Sequence, residues 1–194
     1  DMSAMPEGWV RNDQIAILIY PSMTALDMVA PQYAFASLMG AKVHLVAKNR
    51  DPIVSDTGLT ILPTATFDEC PVDLDAICIP GGSSGTLAAM KDDVTIDFVA
   101  DRGGRAKFVT SVCTGSLVLG AAGLLKGRKA TSHWQTLEVL AAAGATPVPE
   151  RVVFDGDDLV TAAGVSAGLD LGFELLRRFR GDFYAKGMQL LGEY

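Results

Sequence analysis

The sequence is poor in histidine, in paired cysteines and in clustered positive charge, and each shortage excludes a class of function. It holds 2 histidines and 3 cysteines, without Cys-x-x-Cys or His-x-x-x-His spacing, which argues against a metal site. There are 16 Lys and Arg residues against 23 Asp and Glu, and the net charge of −7 disfavours nucleic acid as a partner. We therefore expect no metal, no other cofactor and no nucleic-acid partner.

Long apolar runs are also missing. Gly, Asp or Pro interrupts each apolar stretch well before the ~18 residues that cross a bilayer, and residues 1–8 contain no basic region followed by an apolar one. The cysteines, Cys70, Cys78 and Cys113, are odd in number and widely spaced, which is typical of a reducing compartment. We expect a cytoplasmic protein with no membrane segment and no secretory signal.

Short β-branched runs alternate with helical patterns along the chain. The predicted strands are residues 14–20, 42–47, 75–79 and 107–112, with small hairpins over 53–62 and 152–162. The predicted helices are residues 24–38, 86–90, 94–102, 115–122, 135–143, 166–178 and 183–191. This alternation predicts an α/β protein with a doubly wound, mostly parallel sheet and helices on both faces, in one domain over residues 1–194.

The most informative residue is Cys113, which stands between a buried strand and a helix. In parallel sheets, sites form beyond the carboxyl ends of the strands, and the loops at 20–24, 80–85 and 113–115 leave those ends. A side chain at such a sharp turn is presented as in a nucleophile elbow. Helix amides behind it should lower the pKa of the thiol. The alternative is that Cys113 is a small buried hydrophobe, as many free cysteines are.

Two further features could serve this thiol. Gly81 and Gly82 follow a strand without the pattern of a phosphate loop, and their amides could approach a site as an oxyanion hole requires. Asp27 lies in the first turn of a helix, where an acid commonly only balances the helix dipole. Its apolar neighbours Leu26 and Met28 instead suggest burial, and a buried carboxyl can act as a general acid.

Together these motifs resemble the ThiJ/PfpI superfamily. The resemblance is carried by residues 80–82 (Pro-Gly-Gly), 111–115 (Ser-Val-Cys-Thr-Gly) and the long block 121–134 that ends in Thr-Ser-His-Trp. It implies a flavodoxin-like fold, a class I glutamine amidotransferase-like domain and a functional role for Cys113. Within the superfamily, Asp27 and Thr114 make the chain most similar to the isocyanide hydratase branch, since peptidase-like branches have His after the cysteine.

The resemblance implies a role for each residue. Cys113 would attack the terminal carbon of an isocyanide, and Asp27 would deliver a proton to that carbon. Water would then add to the thioimidate, which collapses to an N-substituted formamide. Thr114 would orient Asp27 or the water through its hydroxyl, and the backbone at Gly81, Gly82 and Val165 would bind the substrate or its developing charge. Related proteins are usually dimers, so a homodimer is expected.

Two other functions remain open from the sequence. The same cysteine block occurs in the amino-terminal halves of AraC-type transcription regulators, so the chain could be a ligand- or redox-sensing domain without catalysis of its own. Cys113 could also belong to a stress-related protein in which the thiol is oxidised. His133 is not expected to be the base of a triad, but to pack beneath Trp134 or to bond to the backbone.

Overall fold

The computed structural model describes residues 6–194. Residues 1–5, part of the segment where the sequence shows no secretory signal, lie outside them. The strands are β1 Gln14–Leu18, β2 Lys42–Ala47, β3 Ile53–Val54, β4 Thr60–Ile61, β5 Ala65–Thr66, β6 Ala76–Ile79, β7 Phe108–Val112, β8 Lys129–Ala130, β9 Thr146–Pro147, β10 Val152–Asp155 and β11 Leu159–Ala162. The helices are α1 Ala25–Ala36, α2 Ser83–Ala89, α3 Asp93–Arg105, α4 Gly115–Ala121, α5 Ala167–Arg180 and α6 Asp182–Leu191, with a 3-10 helix at Leu137–Ala143.

A mostly parallel sheet forms the centre of the fold. Within residues 6–194 it has seven strands in the order β10-β11-β7-β6-β1-β2-β5, and its one antiparallel pair there is the β10–β11 hairpin. The central strands β6 and β7 are parallel, with Ile79 beside Ser111. Buried apolar runs such as β6 are typical of strands covered on both faces. The predicted doubly wound, flavodoxin-like α/β fold is therefore confirmed.

The helices pack in two contacting groups around the sheet. One group contains α1, α5 and α6, and the other contains α2, α3, α4 and the 3-10 helix. The contact between α1 and α5 depends on small residues, since a β-carbon on Gly172 would lie 2.6 Å from that of Ala34. This packing holds the first turn of α1 beside the end of β7. No helix in the described part of the chain has the length and apolarity needed to cross a bilayer.

The sequence predictions fail mainly at short elements and at boundaries. The two-residue strands β5, β8 and β9 were not predicted, because two residues carry no periodic pattern. The first strand was predicted to end at residue 20, just before Pro21, but it ends at Leu18. The segment predicted as a helix over 135–143 is a 3-10 helix, and it ends as expected at left-handed Gly144. The glycine loop is shorter than predicted, because α2 already begins at Ser83.

Candidate active site

Cys113 occupies the turn between β7 and α4 in a strained conformation. Its φ is 58°, which is uncommon for a residue other than glycine. The turn is tight because α4 starts against β6: a β-carbon on Gly115 would lie 2.0 Å from the carbonyl oxygen of Ile79. Only glycine fits there. The strand-to-helix junction thus holds the thiol at the carboxyl end of the sheet.

Hydrogen bonds fix the main chain of Cys113 on both sides. Its amide donates to the carbonyl oxygens of Ala162 (3.1 Å) and Ala163 (2.8 Å) at the end of β11. Its carbonyl oxygen accepts from the hydroxyls of Ser116 and Ser132, each at 3.2 Å. With both polar groups satisfied, the strained turn is held by its surroundings, and the position of the sulfur is set by the fold.

The thiol is less acidic than the sequence predicted. Burial, followed by the nearby charge of Asp27, raises the pKa of Cys113 to about 11. The nearby backbone amides of Val165 and Thr114 act in the opposite direction and lower the pKa. The prediction of a lowered pKa was wrong, because it counted the amides but not the loss of solvent and the carboxylate. At neutral pH, Cys113 therefore holds its proton.

Asp27 is the charged group next to this thiol. It lies in the first turn of α1 and is 0% exposed. Its Oδ2 accepts from the Gly81 amide at 3.0 Å, whereas its buried Oδ1 has no hydrogen-bond partner among residues 6–194. Burial raises the pKa of Asp27 to about 6, against the opposing effects of the Gly81 amide and of Cys113. The carboxyl can therefore take up or release a proton close to neutral pH.

Thr114 and the two glycines form a bonded cluster beside the sulfur. The Gly82 amide donates to Thr114 Oγ1 at 2.9 Å, and Thr114 Oγ1 is also 2.8 Å from Thr86 Oγ1. The hydroxyl of Thr114 thus bonds to Gly82 and Thr86 rather than to Asp27. The amides expected to form an oxyanion hole are already engaged, Gly81 with Asp27 and Gly82 with Thr114. Their observed effect is to position the acid and the hydroxyl.

Val165 lies beside Cys113, just after the carboxyl end of β11, the strand that pairs in parallel with β7. It has a φ of 32°, and its backbone amide lowers the pKa of the Cys113 thiol. The following residue, Ser166, precedes α5 but makes no side-chain cap; its hydroxyl instead accepts from Arg151 at 3.2 Å. Capping is absent because Ser166 already has helical dihedral angles, whereas a capping residue is normally extended. Val165 lines the same cavity as Cys113, and its role in binding the substrate stays a prediction.

A cavity of about 510 Å³ opens above Cys113. Its lining includes Thr114, Val165 and Leu117 close to the thiol, and the exposed Leu87 at the rim. This volume falls within the range of small-molecule sites. The thiol and the hydroxyl of Thr114 thus share one pocket with mainly apolar walls.

His133 also lines this cavity but does not form a triad with Cys113. Its Nδ1 accepts from the Gln135 amide at 3.3 Å, which is the backbone bond that the sequence suggested. Its ring lies 5.7 Å from that of Trp134, which is 77% exposed and does not cover it. Because Nδ1 is an acceptor here, the proton of the neutral ring belongs on Nε2. No acidic side chain orients the ring as a triad would require in the described part of the chain.

Sequence reasoning missed two hydroxyl groups behind the site. Thr86 in α2 contacts Thr114, and Tyr20, beyond the end of β1, lies 3.2 Å from Thr86. Both side chains are buried, at 1% and 6% exposure. A tyrosine at the end of an otherwise apolar strand was the one available signal, because a buried phenol usually needs a hydrogen-bond partner.

The fold and the site define the class of the protein: a doubly wound α/β protein with a cysteine at a strand-to-helix turn, at the carboxyl edge of the sheet. Comparison with known proteins identifies the family. Residues 13–178 match the DJ-1/PfpI family. The chain therefore belongs to the DJ-1/PfpI family, as the resemblance of its motifs implied.

Individual relatives narrow the comparison. The chain is 48% identical to the isonitrile hydratase of Pseudomonas putida over 181 residues, which is 93% of this chain and 78% of that protein. It is 54% identical to a ThiJ/PfpI family protein of known structure from Pseudomonas syringae, with a TM-score of 0.95 over 100% of this chain and 78% of that one. It is 28% identical to the transcriptional regulator GbdR of Pseudomonas aeruginosa, over 88% of this chain and 48% of that protein.

Proposed function

We propose that the chain hydrates an isocyanide to an N-substituted formamide, with Cys113 as nucleophile at a nucleophile elbow. The observation that carries the proposal is a strained thiol that lines one cavity and whose pKa responds to the buried carboxyl of Asp27 beside it. The 48% identity to the Pseudomonas putida isonitrile hydratase supports the reaction class. The apolar cavity walls suit a substrate whose reactive group is small and uncharged.

The first step joins sulfur to carbon. At neutral pH the thiol is protonated and Asp27 is mainly ionised, because their pKa values are about 11 and about 6. As the sulfur attacks the terminal isocyanide carbon, the carboxylate accepts the thiol proton, and it then gives that proton to the same carbon. The product is a thioimidate, with one S–C bond and one C–H bond formed. Asp27 thus acts as a relay rather than as an acid that waits protonated.

The second step adds water to the thioimidate carbon. The hydroxyl of water bonds to carbon, and a proton reaches the substrate nitrogen to give a tetrahedral adduct. This adduct collapses by breaking the C–S bond, which releases the formamide and returns the thiol with its proton. In this proposal the oxygen of Thr114, which lines the same cavity as Cys113, holds the attacking water.

Substitution of the nucleophile tests the proposal. Purified wild type should consume cyclohexyl isocyanide, whereas Cys113→Ala should show no turnover. Loss of the isocyanide infrared band and chromatography of the formamide measure the reaction. Cys70→Ala is the matched control, since Cys70 is also buried and free but does not line the cavity. Turnover by Cys113→Ala, or none by wild type, contradicts the proposal. Intact-mass analysis should reveal the thioimidate as a substrate-sized addition.

The sensing alternative is supported by the match to GbdR. A domain of this kind would bind a ligand in the same cavity without converting it. Isothermal titration of wild type and Cys113→Ala with the same isocyanide separates the two functions: saturable binding without turnover in both proteins favours the sensor, and turnover in wild type favours the hydratase.

We also propose a cytoplasmic homodimer with this one domain. The free, buried state of all three cysteines supports a reducing compartment. On α1, Leu26, Val29 and Tyr33 are each at least 40% exposed and recur on one helical face, which supports an apolar contact between copies. Light scattering after size-exclusion chromatography should give twice the chain mass of 20.4 kDa. A monomer mass would contradict the dimer.

A further inference from the structure

A continuous chain of hydrogen bonds runs from the site into the interior behind it. The Gly82 amide donates to Thr114 Oγ1 at 2.9 Å, and Thr114 Oγ1 lies 2.8 Å from Thr86 Oγ1. Thr86 Oγ1 lies 3.2 Å from the Tyr20 hydroxyl, and Tyr20 donates to the carbonyl oxygen of Pro80 at 2.6 Å. Three hydroxyls thus connect two backbone groups, one at each end.

Counting the hydroxyl protons shows which group donates in each bond of this hydrogen-bonded chain. Each hydroxyl has one proton, and that of Tyr20 is committed to Pro80, because a carbonyl oxygen only accepts. Thr86 must then donate to Tyr20, and Thr114 must donate to Thr86. The competing bond from Thr114 to the Gly82 carbonyl is long, at 3.3 Å. Thr114 therefore points its proton away from the cavity and keeps a lone pair for a further partner.

Close packing preserves the order of the chain. A β-carbon on Gly85 would lie 2.5 Å from the carbonyl oxygens of Pro21 and Ser22, so α2 lies directly on the turn that follows Tyr20. Thr86 is thereby held opposite Tyr20. Since both hydroxyls are buried, water does not compete for their bonds, and directional bonds are stronger in such surroundings.

From this geometry we propose that Tyr20 is a positioning residue, which makes Thr114 a hydrogen-bond acceptor for the water that hydrates the Cys113 thioimidate. The inference rests on the proposed function. A water that donates one proton to Thr114 directs a lone pair of its own oxygen elsewhere, and attack on the thioimidate carbon needs that lone pair. Without Tyr20, Thr86 can donate to Thr114, and the Thr114 proton is released toward the cavity.

The two chemical steps should respond differently to the loss of Tyr20. Attack by sulfur depends on Cys113 and Asp27, which are not members of the hydroxyl chain. Hydration depends on the water held by Thr114. In Tyr20→Phe we therefore expect kcat and KM to fall together by roughly fivefold to tenfold, the effect of one neutral hydrogen bond. The ratio kcat/KM should stay unchanged, because it reports the steps up to the thioimidate.

The experiment compares four variants with wild type, using cyclohexyl isocyanide. Tyr20→Phe and Thr86→Val each break the chain, whereas Thr86→Ser keeps the hydroxyl and should restore wild-type kinetics. Tyr184→Phe is the matched control, since the buried Tyr184 hydroxyl also donates to a backbone carbonyl, that of Ser37, outside the cavity. Intact-mass analysis during turnover should show more thioimidate in the two chain-breaking variants and unchanged amounts in the controls.

The outcomes separate this inference from the proposed function. An unchanged kcat in Tyr20→Phe and Thr86→Val, with wild type active, overturns the role of Tyr20 and leaves the hydratase standing. A fall in kcat/KM without accumulated thioimidate also overturns it, since the effect would then lie on the attack by sulfur. A wild type that converts no isocyanide overturns both.

Discussion

Replacing Asp27 by Asn should change how the stability of the fold depends on pH. The side chain is 0% exposed, and burial raises its pKa from 3.8 to about 6. Between these two values the native state keeps the proton that the unfolded chain has released. The stability that Asp27 contributes is therefore full below the unfolded pKa and is lost as the pH rises through about 6.

The structure sets the size of this effect. A shift of about two pKa units corresponds to about 3 kcal/mol, of which roughly 2 to 3 kcal/mol is lost between about pH 4 and pH 7. Asparagine has no charge to bury, and its amide oxygen can still accept the Gly81 amide. We expect the free energy of unfolding of Asp27→Asn, relative to wild type, to rise by that amount over this range.

Urea unfolding, monitored by tryptophan fluorescence at several pH values, measures the difference in free energy of unfolding between Asp27→Asn and wild type. The contributions of the other carboxyl groups cancel in this difference, because both proteins contain them. Asp75→Asn provides a control of opposite sign. Partial burial raises the pKa of Asp75, but the hydrogen bonds from Lys107 and the Gln14 amide outweigh this effect and hold the pKa below its usual value. The stability contributed by Asp75 is thus present above its unfolded pKa and lost as the pH falls. If the stability gap between Asp27→Asn and wild type were the same at every pH, the assignment of a buried, proton-binding Asp27 would be refuted.

Three other experiments test the site and its support. At about pH 8, iodoacetamide should alkylate Cys113 more slowly than free cysteine, because the pKa of Cys113 is raised to about 11. Asp27→Asn should speed the alkylation of Cys113 by removing the adjacent charge. An alkylation rate of wild-type Cys113 equal to that of free cysteine would contradict the raised pKa. Asp13→Ala leaves the 0% exposed side chain of Arg180 without its carboxylate and should cost about 3 to 5 kcal/mol in urea unfolding, so a cost below about 1 kcal/mol would contradict a buried pair. Gly115→Ala forces a β-carbon against a carbonyl oxygen of β6 and should lower Tm by roughly 5 °C or more, whereas an unchanged Tm would mean that α4 can move away from the sheet.

The position of the thiol could be predicted from sequence because its causes are local. A buried run that ends in Cys113 and continues with Gly115 determines both the strand end and the tight turn. Partial burial of Asp27 was suggested as an alternative to a dipole-balancing role, on reasoning that was only half correct: Met28 is buried, whereas Leu26 is 46% exposed. The side of α1 that faces the sheet, not two apolar neighbours, determines the burial of Asp27.

The chemistry of the site could not be predicted in the same way. The pKa of Cys113 depends on the balance between burial, the charge of Asp27 and two amides, and the sequence gives neither distances nor depth. The bonds of Thr114 to Thr86 and of Thr86 to Tyr20 join residues 28 and 66 positions apart. No local pattern reports such contacts, because the order of strands in the sheet creates them.

For the proposed hydratase activity, the way in which Cys113 is held has a consequence for changing the substrate range. The turn is fixed by backbone hydrogen bonds and by Gly115, where no larger residue fits. Substitutions at this turn therefore have little scope to move the sulfur of Cys113 without disturbing the fold. The exposed Leu87, by contrast, lines the cavity at 57% exposure and contributes little to the core. Substitutions there should cost little stability. Under the proposed function, selectivity for one isocyanide over another can therefore diverge at the rim while the proposed nucleophile stays the same.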